Sequence, residues 1–77
     1  MLGATIQVDF NGLKQLGKDF LDLLPTSNLE EADNGWKCFG IAFLECDLKP
    51  HEEVQARALF SILSRKMLEH EFRLLSE

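Results

Sequence analysis

The 77-residue chain predicts a mainly α fold: a small three-helix domain with a long C-terminal helix and a short N-terminal β-strand. Three observations carry that prediction. Apolar residues recur three and four apart, polar residues suited to capping precede the periodic stretches, and prolines at positions 25 and 50 separate them. Residues 1–77 are read as a single domain, near the length at which one hydrophobic core supplies little net stability. Oligomerisation is therefore an early expectation.

The strand is placed at residues 5–10, where Ile6, Val8 and Phe10 alternate with polar neighbours at the period of a half-buried strand. From Leu13 the period changes. Leu13, Leu16, Phe20, Leu23 and Leu24 fall at helical spacing, Asp9 or Asn11 is placed to cap the start, and Pro25 stops the helix. Ser27-Asn28-Leu29-Glu30 has the form of a capping box, with Ser27 and Glu30 each satisfying a free backbone N–H.

Behind that box Leu29, Ala32, Trp36, Phe39, Phe43 and Cys46 recur at helical spacing, which favours a second helix. Asn34-Gly35 is a turn signal and Gly40 a second helix-weakening residue, so a break near Asn34 is expected. A strand at residues 36–45, which would make the fold α+β, is the alternative; only Ile41 there is β-branched. Lys49-Pro50-His51-Glu52-Glu53 is a strong helix start, with proline in the first turn and two acids at the positive end of the dipole. Nothing interrupts that third helix before about Leu75.

On a helical wheel the third helix carries two apolar stripes. Ala56, Leu59, Phe60, Leu63, Met67 and Leu74 form the first, and Val54, Ala58, Leu68, Phe72 and Leu75 the second. One stripe docks on the rest of the chain. The second either packs intramolecularly as well or, because this helix outreaches its neighbours, is covered by a dimer mate or client. Val54, Ala58, Leu68, Phe72 and Leu75 are thus the candidate protein-binding residues. Leu13, Leu16, Phe20, Trp36, Phe39, Phe43, Leu59 and Leu63 are the expected core.

Composition narrows the function. A net charge of −5 and dispersed basic residues argue against nucleic acid and against an anionic membrane surface. The longest apolar run, residues 38–44, is too short for a membrane span, and Met1-Leu2-Gly3-Ala4-Thr5 does not read as a secretion signal. A cytoplasmic protein with two reduced thiols is expected. Cys38, Cys46, His51 and His70 are the only soft metal-ligand candidates, and C-x7-C-x4-H fits no closed zinc pattern, so no metal or other cofactor is expected.

Cys38 and Cys46 read as small buried apolar residues, and Glu45 and Asp47 should raise the Cys46 pKa, which disfavours a nucleophile. His70 reads as half-exposed at the margin of the first stripe. Glu53 with Arg57 and Glu69 with Arg73 are helix-supporting pairs. No phosphate loop, calcium loop or serine elbow is present, and so short a chain has little room for a pocket beside its core.

Trp36-Lys37-Cys38-Phe39-Gly40-Ile41-Ala42-Phe43 resembles the W-x-x-L-G-x-x-Y of a tetratricopeptide repeat's first helix. Ala56-Arg57-Ala58-Leu59-Phe60 is similar to the A-x-x-x-F of its second. The resemblance spans about residues 34–66, with extra residues before Ala56 and no second copy. It implies a helical hairpin that binds protein segments, with Gly40 letting the paired helix approach. Together these readings lead to a non-enzymatic protein-binding module (adaptor, inhibitor or chaperone-like regulator) that forms a homodimer through its last helix and takes no small-molecule substrate. The alternative is a regulatory or assembly subunit of a larger complex, marginally folded alone.

Overall fold

A computed structural model describes residues 8–77, and three α-helices account for most of them: α1 (Phe10–Leu23), α2 (Leu29–Glu45) and α3 (Pro50–Ser76). Each helix starts on a polar group that satisfies an otherwise free N–H. The Asp9 carboxylate accepts from Gly12 N at 2.8 Å and so caps α1. Residues 5–7 of the expected strand lie outside the described residues. Val8 and Asp9 lead into the helix, and Phe10, placed on the strand by its alternation with Val8, is instead the first residue of α1.

At Pro25 the chain tightens into a 3-10 turn, Leu24–Thr26, as the ring removes an N–H that α1 would need to continue. The Ser27 and Thr26 hydroxyls both donate to Leu23 O, at 2.7 and 3.1 Å. Ser27 is thereby spent on ending α1. The capping box that opens α2 stands one residue later than the S-x-x-E spacing suggests: Glu31 N donates to Asn28 Oδ1 at 2.8 Å, and Asn28 N to Glu31 Oε1 at 3.1 Å.

α2 runs unbroken through Asn34-Gly35 and Gly40, and residues 36–45 are helix rather than strand. The turn signal loses to packing. Gly35 lies against the Phe20 ring of α1, where an added Cβ would stand 2.9 Å from Phe20 Cδ1, so its lack of a side chain admits a close helix–helix contact. α3 opens with Pro50 in its first turn and Glu52 Oε1 accepting from Lys49 N at 3.0 Å. Its 27 residues make it the longest helix by ten, about 40 Å at 1.5 Å per residue.

All three helices touch one another around one core. Leu13, Phe20, Phe39 and Leu63 are buried with Leu24, Ala32, Ala56 and Met67, and Leu16, Trp36, Phe43 and Leu59 pack half-buried against them. Phe60 joins the aromatic side chains, its ring centroid 4.7 Å from Trp36, 5.7 Å from Phe43 and 6.3 Å from Phe39. The apolar spacing that includes Leu23 and Leu29 overreaches, since both face solvent. α1 passes α3 at Gly17, where an added Cβ would meet Leu59 Cδ2 at 2.9 Å. Gly40, the glycine of the repeat-like motif, has nothing within 4 Å of an added Cβ. The glycines that admit neighbours are Gly17 and Gly35.

Candidate protein-binding surface

α3 presents its two stripes to different surroundings. Ala56, Leu63 and Met67 are buried in the core, and Leu59, Phe60 and Leu74 are half-buried beside it. Facing away from α1 and α2, Val54 is 69% exposed, Leu68 65%, Phe72 74% and Leu75 76%, and Ala58 is exposed between them. The structure thus brings all five candidate binding residues onto one side of one helix, with no element of the described chain over them. Leu68, Phe72 and Leu75 stand within the last three turns. Ile62, half exposed, borders the same face.

The wheel could separate the stripes because a straight helix fixes their angular positions. Which stripe docks is decided by the neighbours. Phe39, Phe43 and Trp36 from α2 converge on Phe60 of the first stripe, while α1 meets the same side through Gly17 against Leu59.

His70 ends the buried side of α3. Expected at a half-exposed margin, it is 5% exposed, and its Nε2 lies 2.7 Å from Ser27 O. A carbonyl only accepts, so Nε2–H is the donor. The contact spans 43 residues of sequence and ties the far half of α3 to the turn between α1 and α2. No spacing rule links His70 to Ser27, because the turn reaches α3 only once all three helices have packed. Glu69, paired with Arg73 by sequence, stands 3.8 Å from Lys66 instead, whereas the Glu53–Arg57 pair forms at 2.9 Å.

The soft-ligand candidates are dispersed. Cys38 is exposed on α2, contrary to its reading as a buried apolar residue, because the core side of that turn is taken by Phe39. Cys46 donates its S–H to Val8 O at 3.1 Å. Partial burial pushes its pKa up, followed by the charges of Asp9, Glu52 and Asp47; the first two are brought close by the fold. Among the described residues no three His, Cys, Asp or Glu side chains group as metal ligands would, and no helix is long and apolar enough to cross a membrane.

A second apolar surface escaped the sequence reading. Trp36, Gly40, Phe43 and Phe60 floor a shallow groove of about 460 Å³, with Ile41 and Leu44 on its rim. Leu44 is the most exposed large hydrophobic residue described, at 87%. Its signal was available: Ile41 and Leu44 are three apart on the face of α2 opposite the Ala32–Phe39 line.

In comparisons with known proteins the chain matches no family model, and no curated protein or solved structure is significantly similar to it. The functional reading therefore rests on the surface itself.

Proposed function

We propose that this chain is a non-enzymatic protein-binding module, cytoplasmic in type, that self-associates through the outer face of α3. One observation carries the reading: Leu68, Phe72 and Leu75 stand together and open to solvent near the end of α3, and Val54 and Ala58 are exposed on the same helix face beyond Ser61 and Arg65. An exposed apolar cluster such as Leu68, Phe72 and Leu75 is a common mark of a protein contact, since its exposure to water is unfavourable by roughly 25 cal/mol per Å². Adaptor, inhibitor and chaperone-like roles share this requirement.

The test is light scattering of the purified protein from low to high micromolar concentration, alongside Leu68→Glu and Phe72→Glu. The wild type should reach the mass of a dimer and both variants should remain at 8.8 kDa. A wild type that stays monomeric throughout, or variants that still dimerise, would sink the reading.

A second reading, an assembly subunit marginally folded alone, is favoured by the balance of apolar residues. Nine large hydrophobics are exposed among the described residues, against a buried set of eight that includes two alanines. Circular dichroism separates the two. A sharp thermal transition supports the self-sufficient module, and a weak, non-cooperative melt supports the subunit.

A further inference from the structure

The outer face of α3 follows a seven-residue repeat. Val54, Ala58, Ser61, Arg65, Leu68, Phe72 and Leu75 succeed one another at spacings of four and three, all exposed and all on one side of the helix. That is the spacing of a two-helix coiled-coil seam, with Val54, Ser61, Leu68 and Leu75 at one core position and Ala58, Arg65 and Phe72 at the other; five of the seven are apolar, and Ser61 and Arg65 are the polar pair at its centre. Arg57, Ser64 and Glu71 flank it on one edge, and Gln55, Ile62 and Glu69 on the other.

We infer that this seam pairs with the same seam of a second copy in antiparallel orientation, about a two-fold axis near Leu63, which rests on the self-association proposed above. The residues are self-complementary in that register. Phe72 faces Val54 of the other copy, Leu68 faces Ala58, and Arg65 faces Ser61, so in these three layers each larger group meets a smaller one, while Leu75 at the end of the seam faces His51. Across one edge Glu71 meets Arg57 of the other copy, opposite charges placed twice by the symmetry. Across the other, Ile62 meets its own counterpart. An isologous contact of this kind closes on itself as a dimer.

The parallel alternative lacks these matches. In register it stacks Arg65 directly on Arg65 at the centre of the seam, where like charges repel, whereas the antiparallel form staggers the two by about 6 Å along the seam. Its edge pairs would be Arg57 with Ile62, Ser64 with Glu69 and Glu71 with Ser76, none of them an ion pair. Charge and size thus select the antiparallel form. The unpaired length of α3 serves the same purpose, because a seam of three heptads needs a helix longer than α1 or α2 provides.

Disulfide trapping tests the register. In a Cys38→Ser/Cys46→Ser background, Ala58→Cys and Leu68→Cys chains are oxidised separately and mixed, and light scattering of the same proteins reports the dimer. A disulfide requires Cα atoms about 4.4–6.8 Å apart. In the antiparallel dimer residue 58 of one copy meets residue 68 of the other, while the two copies of residue 58 lie about 15 Å apart along the seam. The mixture should cross-link at least tenfold faster than either chain alone.

Charge reversal gives an independent readout: Arg57→Glu and Glu71→Arg should each weaken the dimer severalfold, and the double exchange should restore it. Faster trapping of either single chain with itself, or a double exchange no better than the single ones, overturns the antiparallel register while leaving self-association standing. A wild type that never leaves the monomeric mass overturns both.

Discussion

Leu63 and Leu68 are the same residue on the same helix, five positions apart, yet Leu63 is fully buried and Leu68 is 65% exposed. By hydropathy they are equivalent. What separates them is that α1 and α2 cover one side of α3 and nothing described covers the other. The contrast teaches that an apolar side chain's energetic role is set by what lies opposite it. Covered positions hold the monomer together, and open ones are available to bind.

The largest expected effect tests that division directly. Leu63→Ala should lower the unfolding free energy by about 2–5 kcal/mol, since it leaves a cavity at a fully buried position. In a chain this short that is a large share of the total. Leu68→Ala should change it by less than about 0.5 kcal/mol, as expected for a surface position away from caps and networks. Urea denaturation of both, at a concentration where light scattering detects only monomer, makes the comparison. Comparable losses from the two variants would mean that the outer face is packed in the folded monomer.

The histidines make a second such pair. His70 is buried and bonded to Ser27 O, whereas His51 is exposed in the first turn of α3. His70→Ala removes both a hydrogen bond and packing, and should cost about 1–3 kcal/mol. His51→Ala should fall within about 0.5 kcal/mol of the wild type. Amide exchange adds a sharper readout, because loss of the His70 tie should raise exchange in the last turns of α3 more than in α2. Uniform exchange throughout would show that the Ser27 contact does not anchor that end.

Much of this fold is legible in the sequence, for reasons that are local. Helical periodicity, Pro25 and Pro50 place three helices close to their actual bounds, and the two stripes of α3 follow from a period of 3.6. What is not legible depends on other elements. Ser27 looks like a cap until the end of α1 claims its hydroxyl, which moves the box to Asn28 and Glu31. Asn34-Gly35 reads as a turn because propensity sees a missing side chain and not the Phe20 ring that fills its place. His70 looks half-exposed on its own helix and is covered by a turn 43 residues away. The candidate surface is legible for the same local reason as the helix bearing it, while its open state depends on how α1 and α2 pack.

The glycines of α2 carry the contrast to its smallest scale. Gly35 and Gly40 sit in one helix and each weakens it by roughly 1 kcal/mol relative to alanine, so propensity alone predicts equal gains from Gly35→Ala and Gly40→Ala. Their surroundings predict opposite signs. An added methyl at Gly40 meets no atom within 4 Å, and that variant should gain up to about 1 kcal/mol. At Gly35 the methyl would stand 2.9 Å from a ring carbon of Phe20, itself only 7% exposed. Overpacking of a filled site costs about 1–3 kcal/mol, enough to cancel the gain or reverse it. Thermal melts of the two variants should therefore bracket the wild type, with Gly40→Ala above it and Gly35→Ala below. If Gly35→Ala melted highest, the approach of α1 to α2 would be looser than the Phe20 contact requires, and the covered side of the molecule would be less tightly filled than its burial implies.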